Sequence, residues 1–164
     1  MRVRVLGPIE AFVGGRPVPL GAGKQRALLA MLAVRANRTV SADALLDGLW
    51  GEQAPASAPK MVQQYVSQLR RALGDAGDGD PVEILTRGRG YELRVAPDEV
   101  DAARFERLLA EGAVRQALAL WRGPALADVA DEPFAAAEIR RLEELRLTAL
   151  AQAIDAELAD GRHR

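Results

Sequence analysis

SAPKMVQQYVSQLRRALG at residues 57–74 and EILTRGRGYELRV at residues 83–95 decide the fold of this chain. With about 3.6 residues per helical turn, Val62, Val66, Leu69 and Leu73 fall in one narrow stripe and predict the buried side of a helix. Opposite them stand Lys60, Gln64, Ser67 and Arg71, with Gln68 beside them and Gln63 and Arg70 on the flanks. The helix carries no acidic residue. A solvated helix ordinarily mixes both charge signs, because i,i+4 pairs stabilise it. Here there are only amides, a hydroxyl and cations, groups that suit base edges and phosphates: glutamine pairs with adenine, lysine and arginine with guanine or backbone oxygens. A solvent-facing helix that lacks acids by chance is the plain alternative, and the second segment weighs against it. Glu83–Arg87 and Tyr91–Val95 flank Gly88-Arg89-Gly90, a hairpin whose glycines permit positive φ at the tip and leave the Arg89 guanidinium projecting. An arginine on a thin hairpin fits a minor groove, where narrow A·T tracts concentrate negative potential. Tyr91 is expected to pack beneath this hairpin instead of stacking on bases.

Upstream, Arg2-Val3-Arg4-Val5 alternates like a half-buried strand, Gly7-Pro8 interrupts it, and Ile9–Val13 resumes it. Gly14-Gly15 is a hairpin signal before Arg16–Leu20, where Pro17 and Pro19 predict a short edge strand. Gly21-Ala22-Gly23-Lys24 invites a phosphate-loop reading, but that motif needs glycine where Val18 stands and serine or threonine where Gln25 stands. We read it instead as the approach to a first helix with Ala27, Leu28, Met31 and Leu32 as its buried stripe, ended by Asn37-Arg38. Ser41 is a good N-cap for a second helix, with Asp43 in its first turn. Leu45, Leu46, Leu49 and Trp50 form that helix's apolar face, which makes Trp50 a core residue more readily than a platform for bases. Gly51–Pro59 is a proline-punctuated turn into the third helix, and Asp75–Pro81 a polar loop after it.

The net charge of −1 hides a segregation: residues 1–96 carry 13 Lys+Arg against 9 Asp+Glu, and residues 97–164 carry 9 against 14. A basic first part leaves room for a nucleic-acid partner that the overall balance would argue against. The absence of cysteine excludes disulfides and thiolate chemistry and suits a reducing cytoplasm. The N-terminus has no apolar leader, and no run of about eighteen apolar residues occurs, so neither secretion nor a membrane partner is expected.

No metal-ligand spacing or cofactor fingerprint occurs, and Asp131-Glu132 and Glu143-Glu144, being adjacent, point to different helix faces or to a solvated surface. We expect no enzyme, no metal and no cofactor, and His163 reads as a terminal residue and not as a ligand. After Phe105, Leu108 and Leu109 the next buried position would be Gly112, and Val114, Ala117, Leu118 and Trp121 start a new stripe. A last helix over Phe134–Asp160 shows Ile139, Leu142, Leu145, Leu150, Ile154 and Leu158 as apolar positions.

Sheet, three helices and C-terminal hairpin follow the order of an OmpR/PhoB-type winged helix, and YVSQLRRALG with ILTRGRGYEL resembles that family's recognition helix and wing. Over its full length the chain resembles the SARP family, the Streptomyces antibiotic regulatory proteins, in RVLGPIEAFVGGRPVPLGAGKQRALLAML at 4–32, LWRGPALADV at 120–129 and RLEELRLTAL at 141–150. The resemblance implies a mainly α fold with small antiparallel β-sheets: a winged helix-turn-helix domain at 1–96, then a tetratricopeptide-like helical domain at 97–164, the first part of a bacterial transcriptional activation domain. It implies a cytoplasmic, nucleoid-associated activator that binds double-stranded DNA at direct-repeat promoter sites as a head-to-tail homodimer and controls genes of secondary metabolism. RNA polymerase, through its sigma factor and alpha subunit, would meet the loop Gly51, Glu52, Gln53 and Ala54 and the residues up to Ala58. Carried over residue by residue, Lys60, Gln64, Ser67 and Arg71 face DNA, with Gln63, Gln68 and Arg70 alongside; Arg87 and Arg89 match the wing. Lys24 and Arg26 are further candidates for phosphate contacts. A helical interaction module with DNA binding secondary or masked is the competing reading. In relatives FERLLAEG is followed by further residues that finish one helix and turn into the next. Here Gly112 meets Ala113 directly, and we expect either a shortened helix pair or, preferentially, a break in the chain. A helical repeat that stops near Arg164 leaves part of the last stripe without its next neighbour.

Overall fold

The structure, a computed structural model, describes residues 2–21, 23–74 and 83–162; the predicted polar loop at 75–81 and His163 lie outside them. Strands β1 (Arg2–Arg4), β2 (Glu10–Val13) and β3 (Arg16–Pro17) form an antiparallel sheet in that order, with Val3 opposite Ala11 and Val13 opposite Arg16. Alternation turns Val3, Ala11 and Val13 inward, and the proline-bearing β3 is the edge. Helix α1 (Lys24–Val34) departs from its expected single stripe: every residue from Ala27 to Ala33 is buried. The cause is its position, packed by α2 (Ala42–Trp50), α3 (Ala58–Gly74) and the wing together, so a sequence of alanines and leucines serves on all sides.

Asn37 follows α1 with φ +65 and ties the wing to it. Its side chain donates to Val95 O at 2.8 Å and accepts from Val95 N at 3.1 Å, while its own N–H donates to Leu93 O at 2.8 Å. Ser41 caps α2 as expected, its Oγ accepting from Ala44 N at 3.0 Å. Helix α3 buries Ala58, Val62, Val66, Leu69 and Leu73. The wing is the hairpin of β5 (Glu83–Arg87) and β6 (Gly90–Arg94), which pairs with β4 (Val40–Ser41) in the order β4-β6-β5. Its tip corrects one expectation: only Gly88 has positive φ, at +56, the pattern of a two-residue turn with glycine first. Gly90 is needed for space, since a Cβ there would stand 2.4 Å from Val40 O.

The helical part contains α4 (Asp101–Ala110), α5 (Val114–Leu118) and α6 (Ala135–Arg162). The expected break at Gly112–Ala113 is not there. Gly112, at φ +80, donates to Leu109 O at 3.1 Å, and Ala113 donates to Leu108 O at 2.9 Å. These two bonds are a Schellman turn, which closes α4 and sends the chain directly into α5. What the sequence pattern signalled was therefore the shortened helix pair. Phe105 meets Trp121 edge to face at 5.4 Å, and the Arg146 guanidinium lies 4.6 Å from the Trp121 ring centre. Helix α6 buries Ala135, Leu142 and Ala149, with Ile139 and Leu145 half-buried, while Leu147, Leu150, Ile154 and Leu158 stay 41–65% exposed. Among the described residues no helix is long and apolar enough to cross a membrane.

The two parts are joined by polar bonds at matched places. The broken strand after β1 leaves two backbone N–H groups, of Val5 and Leu6, and both donate to the buried Asp101 carboxylate at 2.7 and 3.0 Å. Burial pushes the Asp101 pKa above its ordinary 3.8, against the opposing pull of those two bonds and of Arg122. The resemblance segment 120–129 supplies most of the remainder. Arg122 N donates to Leu6 O and its guanidinium to Pro8 O, Leu126 N donates to Val5 O, and Asp128 accepts from Ile9 N at 2.9 Å. Further along, Phe134 N donates to Gly48 O of α2 at 3.0 Å. Gly48 has no room for a side chain, since an added Cβ would meet Met31 Cε at 2.2 Å and Phe134 Cβ at 3.2 Å.

Candidate nucleic-acid interface

Helix α3 and the wing form one exposed face. The apolar stripe of α3 is held by the core, so Lys60, Gln63, Gln64, Ser67, Gln68 and Arg71 stand exposed along the other side. None of these side chains has a hydrogen bond or ion pair to another described residue. Beside them the tip residue Arg89 is exposed and likewise unpaired, while its backbone O accepts from Ala42 N at 2.8 Å, fixing the tip to the start of α2. Arg87, also on the wing, lies 3.9 Å from Glu92 and is half-exposed. Between α2, α3 and the tip runs a hollow of about 360 Å³ bordered by Leu46, Pro59, Val62, Gln63, Arg89 and Tyr91.

Arg70 does something else. Its Nε donates to Ile84 O and its Nη2 to Thr86 Oγ1, each at 2.8 Å, and its guanidinium lies 5.9 Å from the Tyr91 ring centre. It therefore fixes the angle between α3 and the wing, leaving fewer donors for an outside ligand. Tyr91 is half-buried beneath the hairpin, as the sequence led us to expect, and Trp50 is half-buried with Lys24 Nζ 5.5 Å from its ring centre.

Lys24 and Arg26, the further candidates for phosphate contacts, are engaged within the chain. Lys24 Nζ pairs with Glu132 at 2.6 Å and also donates to Leu49 O; Arg26 pairs with Asp128 at 2.7 Å and donates to Gly21 O. Acidic residues of the helical part have taken both charges. The loop Gly51, Glu52, Gln53 and Ala54 opens with one 3₁₀ turn at 51–53; Glu52, Gln53 and Ala54 are exposed, and Gly51 adjoins Pro133. Sequence reading missed Asn37, Gly48 and Asp101. For Asp101 there was a signal in principle, an acid at the start of a helix, but nothing local could say which N–H groups it receives. Among the described residues no group of three or more His, Cys, Asp or Glu side chains could hold a metal ion.

A three-helix core with a C-terminal wing, an N-terminal sheet and an attached helical part defines a winged-helix transcriptional regulator of the OmpR/PhoB type. Comparison with known proteins agrees. Residues 15–93 match the family "Transcriptional regulatory protein, C terminal" and residues 98–164 the family "Bacterial transcriptional activator domain". The chain is 40% identical, over 99% of its length, to the regulatory protein DnrI of Streptomyces peucetius, of which it covers 67%. It is 39% identical over 96% of its length to the transcriptional regulatory protein EmbR of Mycobacterium tuberculosis, covering 44% of that protein. The solved structure of Mycobacterium tuberculosis EmbR in complex with a low-affinity phosphopeptide superposes with a TM-score of 0.84 at 36% identity, over 98% of this chain and 46% of that one. The chain belongs to the SARP family of transcriptional regulators. It spans two thirds of DnrI and less than half of EmbR. The DnrI alignment runs over 182 positions against 164 residues here, so the relative carries residues that this chain lacks.

Proposed function

We propose that the protein is a sequence-specific DNA-binding activator, with α3 in a major groove and Arg89 in the adjoining minor groove. The observation that carries this is the row of exposed, internally unpartnered side chains Lys60, Gln64, Ser67 and Arg71 on a helix whose opposite side is locked in the core. Gln63 and Gln68 extend the row, Arg87 adds charge on the wing, and Arg70 positions the wing. By family likeness the reading extends to direct-repeat promoter sites bound by a head-to-tail homodimer, to RNA polymerase met through the Gly51–Ala54 loop by its sigma factor and alpha subunit, and to genes of secondary metabolism. A working place on the nucleoid, in the cytoplasm, and a division of the chain at residues 96/97 go with it.

Salt dependence separates this from a protein-interaction module. Binding dominated by phosphates weakens steeply with salt, and the logarithmic slope falls by about one for each phosphate that is no longer neutralised. Gln64→Ala should relax base preference at one position, by about 1–3 kcal/mol. Arg89→Ala should weaken binding to A·T-flanked sites more than to G·C-flanked ones. Should neither variant change DNA binding in a footprinting titration, the interface is wrongly placed.

A further inference from the structure

On the first strand's side of the junction, β1, the first turn of α4 and residues 119–122 enclose a cleft of about 160 Å³, lined among others by Arg2, Arg4, Arg104, Arg122, Asp98 and Asp101. Its charges do not cancel. Asp101 turns its carboxylate oxygens to the N–H groups of Val5 and Leu6, and Asp98 is paired with Arg107 at 2.7 Å. Arg122 and Arg4 share Glu10 at 3.1 and 3.6 Å. The side chains of Arg2 and Arg104 have no hydrogen bond or ion pair to any other described residue, although Arg104 is half-buried. Glu99 borders the neighbouring hollow that Arg2 and Arg4 share with Phe12.

Two uncompensated guanidiniums in one recess fit a dianion. Each presents planar, forked N–H donors that match phosphate oxygens in pairs, and partial burial raises the worth of such bonds. Since a water molecule takes about 30 Å³ of liquid, the recess holds a group several waters in size, such as a phosphate with a small organic part. We propose that this cleft binds a small phosphate monoester, its head held by Arg2 and Arg104 with Arg4 and Arg122 beside it. One wall belongs to the winged-helix part and the other to the helical part, so the ligand also braces the junction. The site is separate from α3 and the wing and does not depend on DNA binding.

The test titrates the full chain with inorganic phosphate and with phenyl phosphate at constant ionic strength, chloride as reference salt, followed by backbone amide NMR. The expected result is saturable shifts at Ala102–Arg104, Ala119 and Leu120, together with a rise in Tm. Arg104→Gln should weaken binding by about tenfold or more, as loss of a charge-assisted bond does, and the exposed Arg140→Gln should leave it unchanged. Arg2→Gln, at the exposed start of β1, gives a second reading should Arg104→Gln disturb the fold. The proposal is overturned if chloride reproduces the shifts, if they fall on residues 60–71 and the wing tip in place of 102–104 and 119–120, or if both arginine variants bind as the parent does.

Discussion

At the scale of single residues, the positions that matter most are those where backbone meets something at close range. Gly90 is one: β4 passes so near β6 that the Val40 carbonyl occupies the space of a side chain. Gly90→Ala must push β4 off the hairpin and should cost about 1–3 kcal/mol, as overpacking does. In a chain of this size that lowers Tm by roughly 2–12 °C, which thermal unfolding followed by circular dichroism will read. Gly88 is required for a different reason, its positive φ of 56, and an alanine there meets no neighbour. The sequence GRG made both glycines look alike. Only the pairing of β6 with β4, from residues some fifty positions earlier, separates their roles.

At the scale of elements, α3 and the wing act as one unit because Arg70 bonds across them. Arg70→Ala should leave the wing free to swing and weaken DNA binding by about tenfold, in line with the removal of two bonds, one to the backbone and one to a hydroxyl. It should leave the salt slope unchanged, whereas Arg71→Ala should lower that slope by about one. A slope that falls equally in both variants would make Arg70 a phosphate contact and return it to the reading the sequence suggested. In α3 the helical period alone placed Val62, Val66, Leu69 and Leu73 inside and Lys60, Gln64, Ser67 and Arg71 outside. In α1 the same period misled, because a helix surrounded on every side has no solvent face for the pattern to record.

At the scale of the whole molecule, the N-terminal sheet is as much a docking surface as a lid on the core. Val3 bridges to Val100, and Asp101 gathers the N–H groups that the Gly7-Pro8 interruption leaves unpaired within the strand. Asp101→Ala strands both N–H groups in a buried place and should destabilise the chain by about 2–6 kcal/mol, from roughly 1–3 kcal/mol for each group. The pH dependence has a definite sign. The folded carboxyl titrates above 3.8, so its protonation favours the folded state: that contribution is complete below 3.8 and is lost as pH rises through the folded value. Asp101→Asn should remove this dependence, so that wild type gains on the variant as the pH is lowered across that window; urea unfolding midpoints at a series of pH values measure it. A difference of the opposite sign would mean that the ionised carboxylate is the form the junction prefers.

The sequence by itself determined the order of sheet, three helices and hairpin, the outward face of α3, the cap at Ser41 and the buried stripe that locks α3 in place, because each follows from local chemistry and a period of 3.6 or 2. The charge segregation between residues 1–96 and 97–164 was also legible, without saying which charges meet. Only the tertiary structure decided that Lys24 and Arg26 face Glu132 and Asp128, that Arg70 braces the wing, and that Asp101 receives Val5 and Leu6. Each of those partnerships except that of Arg70, which reaches from α3 to the neighbouring β5, joins residues about a hundred positions apart, and a cation on a helix reads the same in sequence whether its partner is a phosphate or a distant carboxylate.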